Sequence, residues 1–461
     1  MCSTPYLPAL RRTCAPMGVV SRARRATESL SGLSVLFAGF FDSELVPART
    51  GRGSRRREFS RVAVFWAFLA QVLTRGGSCR WALSRLQADA AARGERRPAD
   101  STSAYCQARS ALSLAWLQML FAALGRWFDP RTPRQWCGRT VRVIDGTGFS
   151  MPDTPQNRRR WDYPAGTTPG CSFPAGKLVG LFCLHTGRLV AFVTATWKTH
   201  DVKLARKLVC WLQRDDVLIG DRAFCGWVFL ALLRRRRVDF VIRLHQARAI
   251  SSRRAGSTEE SWPRPQRPPG HSRRFWRKMP KELSVRLVRF LVCPRGFRSH
   301  YVTVATSLLD TKAFPNDAIA SLYAQRWQVE LHYRQIKTNL SLDVLRGRSP
   351  AMIERELWMF AIAYNLIRAL LLQSAVTHDV PIERLSFKGA LDVVNTWTHA
   401  AMWRRTRRRA RRELIGRIAS DLVPRRPNRS EPRALKRRHK NYQFLTKPRH
   451  QFRVSPSRDL K

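Results

Sequence analysis

An uninterrupted apolar run that ends at an aspartate constrains the fold of this chain most. The segment DDVLIGDRAF, residues 215–224, places VLIG between acidic residues. A run without polar alternation is typical of a central strand that is covered on both faces. Residues 201–212 and 225–237 have helical apolar spacing, and residues 238–245 form a second apolar strand. The order helix, strand, helix, strand predicts an α/β sheet.

Three further segments with strand character come before this unit. Residues 139–151 are rich in β-branched side chains. Residues 177–185 and 188–197 are separated by Thr-Gly, which favours a hairpin connection. A hairpin followed by alternating helices and strands predicts a mixed rather than a purely parallel sheet.

The charge of the chain bounds its partners. Its 84 Lys and Arg against 32 Asp and Glu give a formal net charge of +52. A surface this cationic repels itself unless it meets a polyanion, which favours DNA or RNA. An acidic membrane surface is the competing partner, but no polybasic amphipathic segment or lipidation signal favours it. The apolar stretch 359–375 is short for a span and carries Asn365 and Arg368, so a buried helix is expected there. The ten cysteines include no CxxC pair, so reduced thiols in a cytosol are expected. No membrane partner is expected.

Three carboxylates suggest a metal-dependent reaction on phosphate. Asp145 follows VRVI and Asp221 follows VLIG, so both are predicted at strand ends, on the rim of the sheet. Either aspartate alone is more typical of a turn or a helix cap. Together with Glu330 they form an oxygen-rich set that suits Mg²⁺ or Mn²⁺. Two such ions can activate a water or a 3′-hydroxyl and stabilise the leaving oxygen.

The segment that carries Glu330 has a helical pattern. At about 100° per residue, four polar residues share one face beside an apolar stripe: Tyr323, Arg326, Glu330 and Lys337. An ordinary i,i+4 pair of Arg326 and Glu330 on a solvated face is the alternative interpretation. If Glu330 is a metal ligand, Tyr323, Arg326 and Lys337 are placed to bind phosphates on either side of the cleaved bond.

The spacing Y-x2-R-x3-E-x6-K of these residues resembles the signature of the insertion-sequence-four family of DDE transposases. VIDGTGFSMPDT and IGDRAFCGW resemble the two aspartate blocks of that family, and STSAYCQARSAL resembles its N-terminal helical region. RPNRSEPRALKRRHKNYQFLTKPR resembles its basic C-terminal stretch. The resemblance implies an RNase H-like core in which Asp145, Asp221 and Glu330 form the metal triad. It also implies a β-rich insertion before the glutamate.

The expected fold class is α/β (α+β): an RNase H-like mixed sheet flanked by helices, with an N-terminal helical domain and the insertion. The predicted division is a basic N-terminus at 1–32, a helical DNA-binding domain at 33–130, a core at 131–245 and 313–375, an insertion at 246–312, and a basic region for DNA binding or dimerisation at 376–461. Within the insertion, residues 251–274 read as a loop, and 281–293 and 299–309 as strands. The Arg-rich run from residue 403 is expected to form no core.

The function that the resemblance implies is a bacterial DNA transposase. Such an enzyme binds the terminal inverted repeats of its element and target DNA, and it cleaves and joins strands. We expect two Mg²⁺ (or Mn²⁺) ions, double-stranded DNA as partner, a homodimer, and a cytoplasmic protein at the nucleoid. Some members flip a base onto an aromatic side chain, for which Trp262 and Trp276 are candidates. The alternatives are a nuclease or resolvase without strand transfer, a non-catalytic nucleic-acid-binding protein, and a copy damaged outside these motifs.

Overall fold

The computed structural model describes most of the chain. The described residues are 32–41, 44–45, 59–92, 96–134, 136–164, 172–246, 248, 255–292, 300–397, 407–424 and 451. The predicted basic N-terminus at 1–32 and the basic stretch at 427–450 therefore lie outside them, except for residue 32. By its internal contacts the chain divides into two compact units, one of residues 1–127 with 357–423, the other of residues 128–356 with 424–461.

The described strands all belong to the second unit. They are β1 (Val141–Ser150), β2 (Ala175–Cys183), β3 (Leu189–Thr196), β4 (Val217–Gly220), β5 (Asp239–Arg243), β6 (Gly256–Pro263), β7 (Glu282–Val292) and β8 (His300–Thr306). Within the described part they form one eight-stranded sheet of order β3-β2-β1-β4-β5-β8-β7-β6. β1, β4 and β5 are parallel neighbours, and the other pairings are antiparallel. The expected mixed sheet is confirmed.

The helices follow the predicted order. They are α1 (Arg61–Leu73), α2 (Cys79–Ala92), α3 (Thr102–Ser110), α4 (Leu114–Phe128), α5 (Pro155–Trp161), α6 (Asp201–Leu208), α7 (Trp227–Arg235), α8 (Arg273–Arg277), α9 (Asn316–Ala324), α10 (Gln328–Arg334), α11 (Pro350–His378), α12 (Phe387–Trp397) and α13 (Arg407–Ser420). Helices α1 to α4 lie within the residues 33–130 that were predicted to be helical.

The central strand β4 is buried on both faces, as its sequence predicts. Leu218 lies in a core cluster with Leu204 of α6 and Phe229 of α7. Val217 and Ile219 point to the opposite face by strand alternation and are also fully buried. On that face α10 packs on β2. Helices on both faces of the sheet explain why this strand has no polar alternation.

The insertion differs from its prediction in one place. The predicted strands at 281–293 and 299–309 correspond to β7 and β8, but the predicted loop at 251–274 contains the strand β6 and the start of α8. The loop assignment was wrong because β6 is an edge strand that pairs only with β7, so it needs few apolar residues. β8 pairs with β5, so the insertion extends the central sheet.

The first unit contains a second correction. The Arg-rich run from residue 403 was expected to form no core, but α13 buries Leu414, Ile415 and Ile418. These residues recur at helical spacing between the arginines, so one face of the helix is apolar. Arg411 on the same helix donates hydrogen bonds to the Leu36 carbonyl and to Gln373 Oε1, both at 2.8 Å.

The long apolar helix is buried, as expected for residues 359–375. In the described part of the chain, α11 is the single helix whose length and composition would suit a membrane span, with a second candidate in the bent pair formed by residues 102–110 and 114–131. In α11, 89% of the most apolar window is buried. The core helix of a soluble protein has this property.

Candidate active site

Three charged residues lie side by side at the carboxyl end of the parallel strands. Ile144 of β1 pairs with Gly220 of β4, and Gly220 pairs with Ile242 of β5. The residues that follow are Asp145, Asp221 and Arg243. Because neighbouring strands are about 4.8 Å apart, the sheet register alone brings the two predicted aspartates together.

The position of Asp145 needs a correction, whereas that of Asp221 is confirmed. Asp221 directly follows β4 and precedes a 3₁₀ turn at Arg222–Phe224. Asp145 was predicted past the end of its strand, but it lies within β1, which continues to Ser150. The outer half of β1 pairs with β2 after β4 has ended. Asp145 is therefore at the rim of β4 although it is in the middle of its own strand.

Glu330 lies on a segment that is less regular than predicted. Between α9 and α10 is a 3₁₀ turn at Gln325–Trp327, and α10 continues into a π-helical turn at Gln335–Asn339. The continuous α-helix was therefore wrong in detail, although the apolar stripe is buried as predicted: Leu322, Val329, Ile336 and Leu340. The Glu330 side chain is 47% exposed and accepts a hydrogen bond from Arg326 Nη2 at 3.1 Å.

The charges of the other two carboxylates act on Asp145. Burial raises the pKa of Asp145 to about 6, and the charges of Asp221 and Glu330 add to this rise. A hydrogen bond from the Gly146 N–H, at 2.8 Å, and the charge of Arg326 oppose it. Asp145 thus lies within the electrostatic field of Asp221 and Glu330, the other two predicted carboxylates.

Two of the three predicted phosphate-binding residues, Tyr323 and Arg326, belong to this cluster. Tyr323 is 8% exposed, and burial raises its pKa to about 12 while the charges of Arg326 and Arg243 oppose the rise. Lys337 lies on the π-helical turn and is half-buried. Its predicted contact with phosphate remains a prediction.

Sequence reasoning missed two elements of the site. Arg243 ends β5 after the apolar run FVI, a pattern like the one that singled out Asp221, so this signal could have found it. Tyr333 has no such signal. Its hydroxyl donates a hydrogen bond to the Asp145 carbonyl at 2.6 Å and accepts one from the Gly180 N–H at 2.9 Å. It connects α10 to β1 and β2 beside the carboxylates.

The donor set fits a divalent cation, but its present arrangement is not a closed metal site. In the described residues no group of three or more His, Cys, Asp or Glu side chains is placed to hold a metal ion. The chemistry is nevertheless suitable, because three carboxylate oxygens are the ligands of Mg²⁺ and Mn²⁺ and their mutual repulsion is relieved by a cation. In the structure, Glu330 forms an ion pair with the Arg326 guanidinium.

The two candidate tryptophans of the insertion, Trp262 and Trp276, pack in or against the core of the second unit. Trp262 is 5% exposed, and the Arg248 guanidinium lies 3.8 Å from the centre of its ring. Trp276 packs on the same core, with its ring centre 5.9 Å from that of Trp227. Neither presents a free ring face comparable to that of Trp327, which is exposed on the 3₁₀ turn beside Arg326.

Comparison with known proteins identifies related chains. Residues 136–366 match the family described as the transposase DDE domain. The transposase InsG for insertion sequence element IS4 of Escherichia coli (strain K12) is 28% identical over 76% of this chain and 79% of its own length. A probable transposase for insertion sequence element IS5377 of Geobacillus stearothermophilus is 33% identical over 54% of this chain and 61% of its own. A solved piggyBac transposase synaptic complex with hairpin DNA aligns at a TM-score of 0.41 and 12% identity, over 92% of this chain and 90% of that one.

Proposed function

Because the matched region spans half of the sequence, this chain belongs to the DDE transposase family, and on that premise we propose that Asp145, Asp221 and Glu330 are its catalytic carboxylates. It is a bacterial insertion-sequence transposase of the insertion-sequence-four family, an enzyme that cleaves DNA and transfers strands with divalent metal ions. The observation that supports the assignment is electrostatic. The charges of Asp221, at the end of β4, and of Glu330, on α10, both raise the pKa of Asp145 on β1.

The proposed cofactor is a pair of Mg²⁺ (or Mn²⁺) ions held by Asp145, Asp221 and Glu330. Such ions supply an activated oxygen nucleophile and stabilise the charge on the leaving oxygen. Arg326, which pairs with Glu330 in the structure, would offer its guanidinium to a phosphate in bidentate fashion.

The proposed DNA contacts begin beside the carboxylates. Tyr323, Arg326 and Lys337 would bind backbone phosphates, which position the strand without reading its sequence. The substrate is proposed to be the terminal inverted repeats of the element, followed by target DNA. The helical domain at 33–130 and the basic region at 376–461 would bind DNA, with the latter also supporting a homodimer. We place the protein in the cytoplasm, at the nucleoid.

The test is Glu330→Gln, with labelled duplex ends from the element as substrate. The substitution keeps the shape of the side chain but removes its charge, so end binding should persist while nicking and strand transfer fall by about 10³-fold or more. Glu282→Gln is the matched control, because Glu282 is also an exposed carboxylate that accepts a side-chain hydrogen bond, from Ser261 Oγ at 2.6 Å, and it lies outside the proposed DNA-binding regions. That variant should cleave like the unmodified protein.

The same assay separates the alternatives. Nicking without joining would indicate a nuclease or resolvase. Binding of DNA without cleavage, together with Mn²⁺ binding that no carboxylate substitution changes, would indicate a non-catalytic protein. Cleavage retained in Glu330→Gln would reject the proposed carboxylate set.

A further inference from the structure

One hydroxyl group joins the strand of the first carboxylate to the helix of the third. Tyr333 is buried on α10, and its Oη lies between two backbone groups that face each other across β1 and β2, the Asp145 carbonyl and the Gly180 N–H. Asp145 and Gly180 are direct partners in the strand register. The hydroxyl thus donates one hydrogen bond and accepts another at the position of Asp145.

The surface of β2 is shaped to receive this side chain. A Cβ on Gly180 would lie 2.9 Å from Tyr333 Oη, closer than side-chain carbons approach other atoms. Glycine at this position therefore allows the hydroxyl to reach the backbone. Two residues on, and on the same face, the Phe182 ring contacts the Tyr333 ring edge to face, with 5.2 Å between their centres.

The ring and the hydroxyl of Tyr333 make different contributions to the position of α10. The contact with Phe182 would hold α10 against the sheet even if residue 333 were phenylalanine. The hydroxyl adds a directional link, because two hydrogen bonds fix the distance between α10 and the backbone of Asp145. Glu330 precedes Tyr333 by three residues on α10, so both side chains lie on neighbouring positions of the helix surface.

We propose that Tyr333 is a positioning residue that sets Glu330 relative to Asp145 through its hydroxyl. The inference rests on the proposed function, since it concerns the spacing of the proposed metal ligands. Residues that orient metal ligands typically change metal affinity or activity by about 10–100-fold when they are removed. The hydroxyl is expected to act in this way without touching DNA.

The first experiment compares Tyr333→Phe with the unmodified full-length protein. We expect the variant to bind labelled end DNA in Ca²⁺ with an affinity changed by less than about 3-fold, because the ring packing is kept. Its Mn²⁺ affinity, measured by titration without DNA, should fall by about 10-fold, and kcat for nicking by about 10–100-fold. Tyr163→Phe, which removes a hydroxyl that donates to Asp153 at 2.8 Å, is the matched control and should change neither quantity.

A second pair of variants tests the link from the other side. Gly180→Ala keeps the hydroxyl but places a methyl group 2.9 Å from it and 2.9 Å from Phe182 Cε2, and it should reduce nicking and Mn²⁺ affinity in the same way. In Gly180→Ala with Tyr333→Phe the contact with the hydroxyl is gone while the one with Phe182 remains, so the double variant should lose less than the product of the two single losses.

Several outcomes would overturn the inference. Nicking and Mn²⁺ affinity like those of the unmodified protein in Tyr333→Phe or in Gly180→Ala would do so, and so would independent losses in the double variant. If Tyr333→Phe does not fold, the hydroxyl has a structural role and the inference is again rejected. Glu330→Gln is run alongside: cleavage retained in that variant rejects the proposed function, whereas a dead Glu330→Gln with an unaffected Tyr333→Phe rejects only the positioning role.

Discussion

Asp145 is the residue on which the chemistry of the site depends most. It is more buried than Glu330, and the charges of Asp221 and Glu330 both act on it. The sequence could predict Asp221 at a strand end, because the apolar run VLIG ends there. It could not show that β1 continues past Asp145, because the reason lies in pairing with β2. It could not reveal Tyr333 either, because a tyrosine on a helix is usually part of the core.

The raised pKa of Asp145 predicts how stability depends on pH. The pKa is about 6 in the folded protein against an ordinary value of 3.8, so the folded state binds the proton more tightly than the unfolded chain. The stabilising contribution of the protonated carboxyl is complete below about pH 4 and is lost as the pH rises through 6. Asp145→Asn should therefore be more stable than the unmodified protein at pH 8 by about 3 kcal/mol.

Urea unfolding in metal-free buffer at pH 4 and pH 8 measures this difference. At pH 4 the two proteins should unfold at similar urea concentrations, since both carry a neutral side chain at residue 145. Asp392→Asn, at an exposed carboxylate paired with Lys388, is the control and should show no such gain at pH 8. Equal stability of Asp145→Asn and the unmodified protein at pH 8 would contradict the prediction.

At the scale of elements, the segment from α9 to α11 determines where Glu330 lies. Its apolar stripe could be predicted, because four residues repeat at helical spacing. The 3₁₀ and π-helical turns on either side of α10 could not, since turns this short barely displace such a stripe. After the π-helical turn the chain is fixed to β1: Ser150 N–H donates to the Asp343 carbonyl and Leu345 N–H donates to the Ser150 carbonyl, both at 2.9 Å.

Glu356 of α11 fixes the next part of the chain, at Arg346 and Gly347. Its buried Oε2 accepts hydrogen bonds from the Arg346 N–H at 2.8 Å and the Gly347 N–H at 3.0 Å. Glu356→Ala leaves both donors buried without their acceptor, so we expect the free energy of unfolding to fall by about 2–4 kcal/mol. Denaturant unfolding measures this, with Glu354→Ala on the same helix as a control that changes stability by less than about 0.5 kcal/mol. A loss below about 1 kcal/mol in Glu356→Ala would show that water replaces the carboxylate.

At the scale of the whole molecule, charge and fold give separate information. The net charge of +52 predicts a polyanionic partner but no fold. The period of the apolar residues predicted the mixed sheet and the first helices. It did not predict that residues 357–423 cluster with the N-terminal helices, because contacts between segments so distant in the chain leave no periodic signal.

Phosphate contacts make the affinity for DNA fall steeply with salt. If the basic surface meets six or more phosphates, the affinity for end DNA should fall by about 10³-fold or more between about 50 and 200 mM salt. Lys337→Ala should weaken binding and make the slope of log K against log salt shallower by about 1. Fluorescence anisotropy at several salt concentrations measures both quantities.

Lys198→Ala is the control for Lys337, because Lys198 is already paired with Asp162 and lies outside the proposed DNA-binding regions. Its slope should stay that of the unmodified protein. An unchanged slope in Lys337→Ala would show that Lys337 makes no phosphate contact and serves the fold.

The composition of the first unit has a consequence for biosynthesis. Helix α1 emerges early from the ribosome, but Arg411 and the apolar face of α13 belong to the same compact unit. During translation, more than two hundred intervening residues are synthesised after the N-terminal helices and before α13. A nascent chain stalled before residue 407 would expose the surface that α13 normally covers, which makes it a natural client for chaperones and proteases.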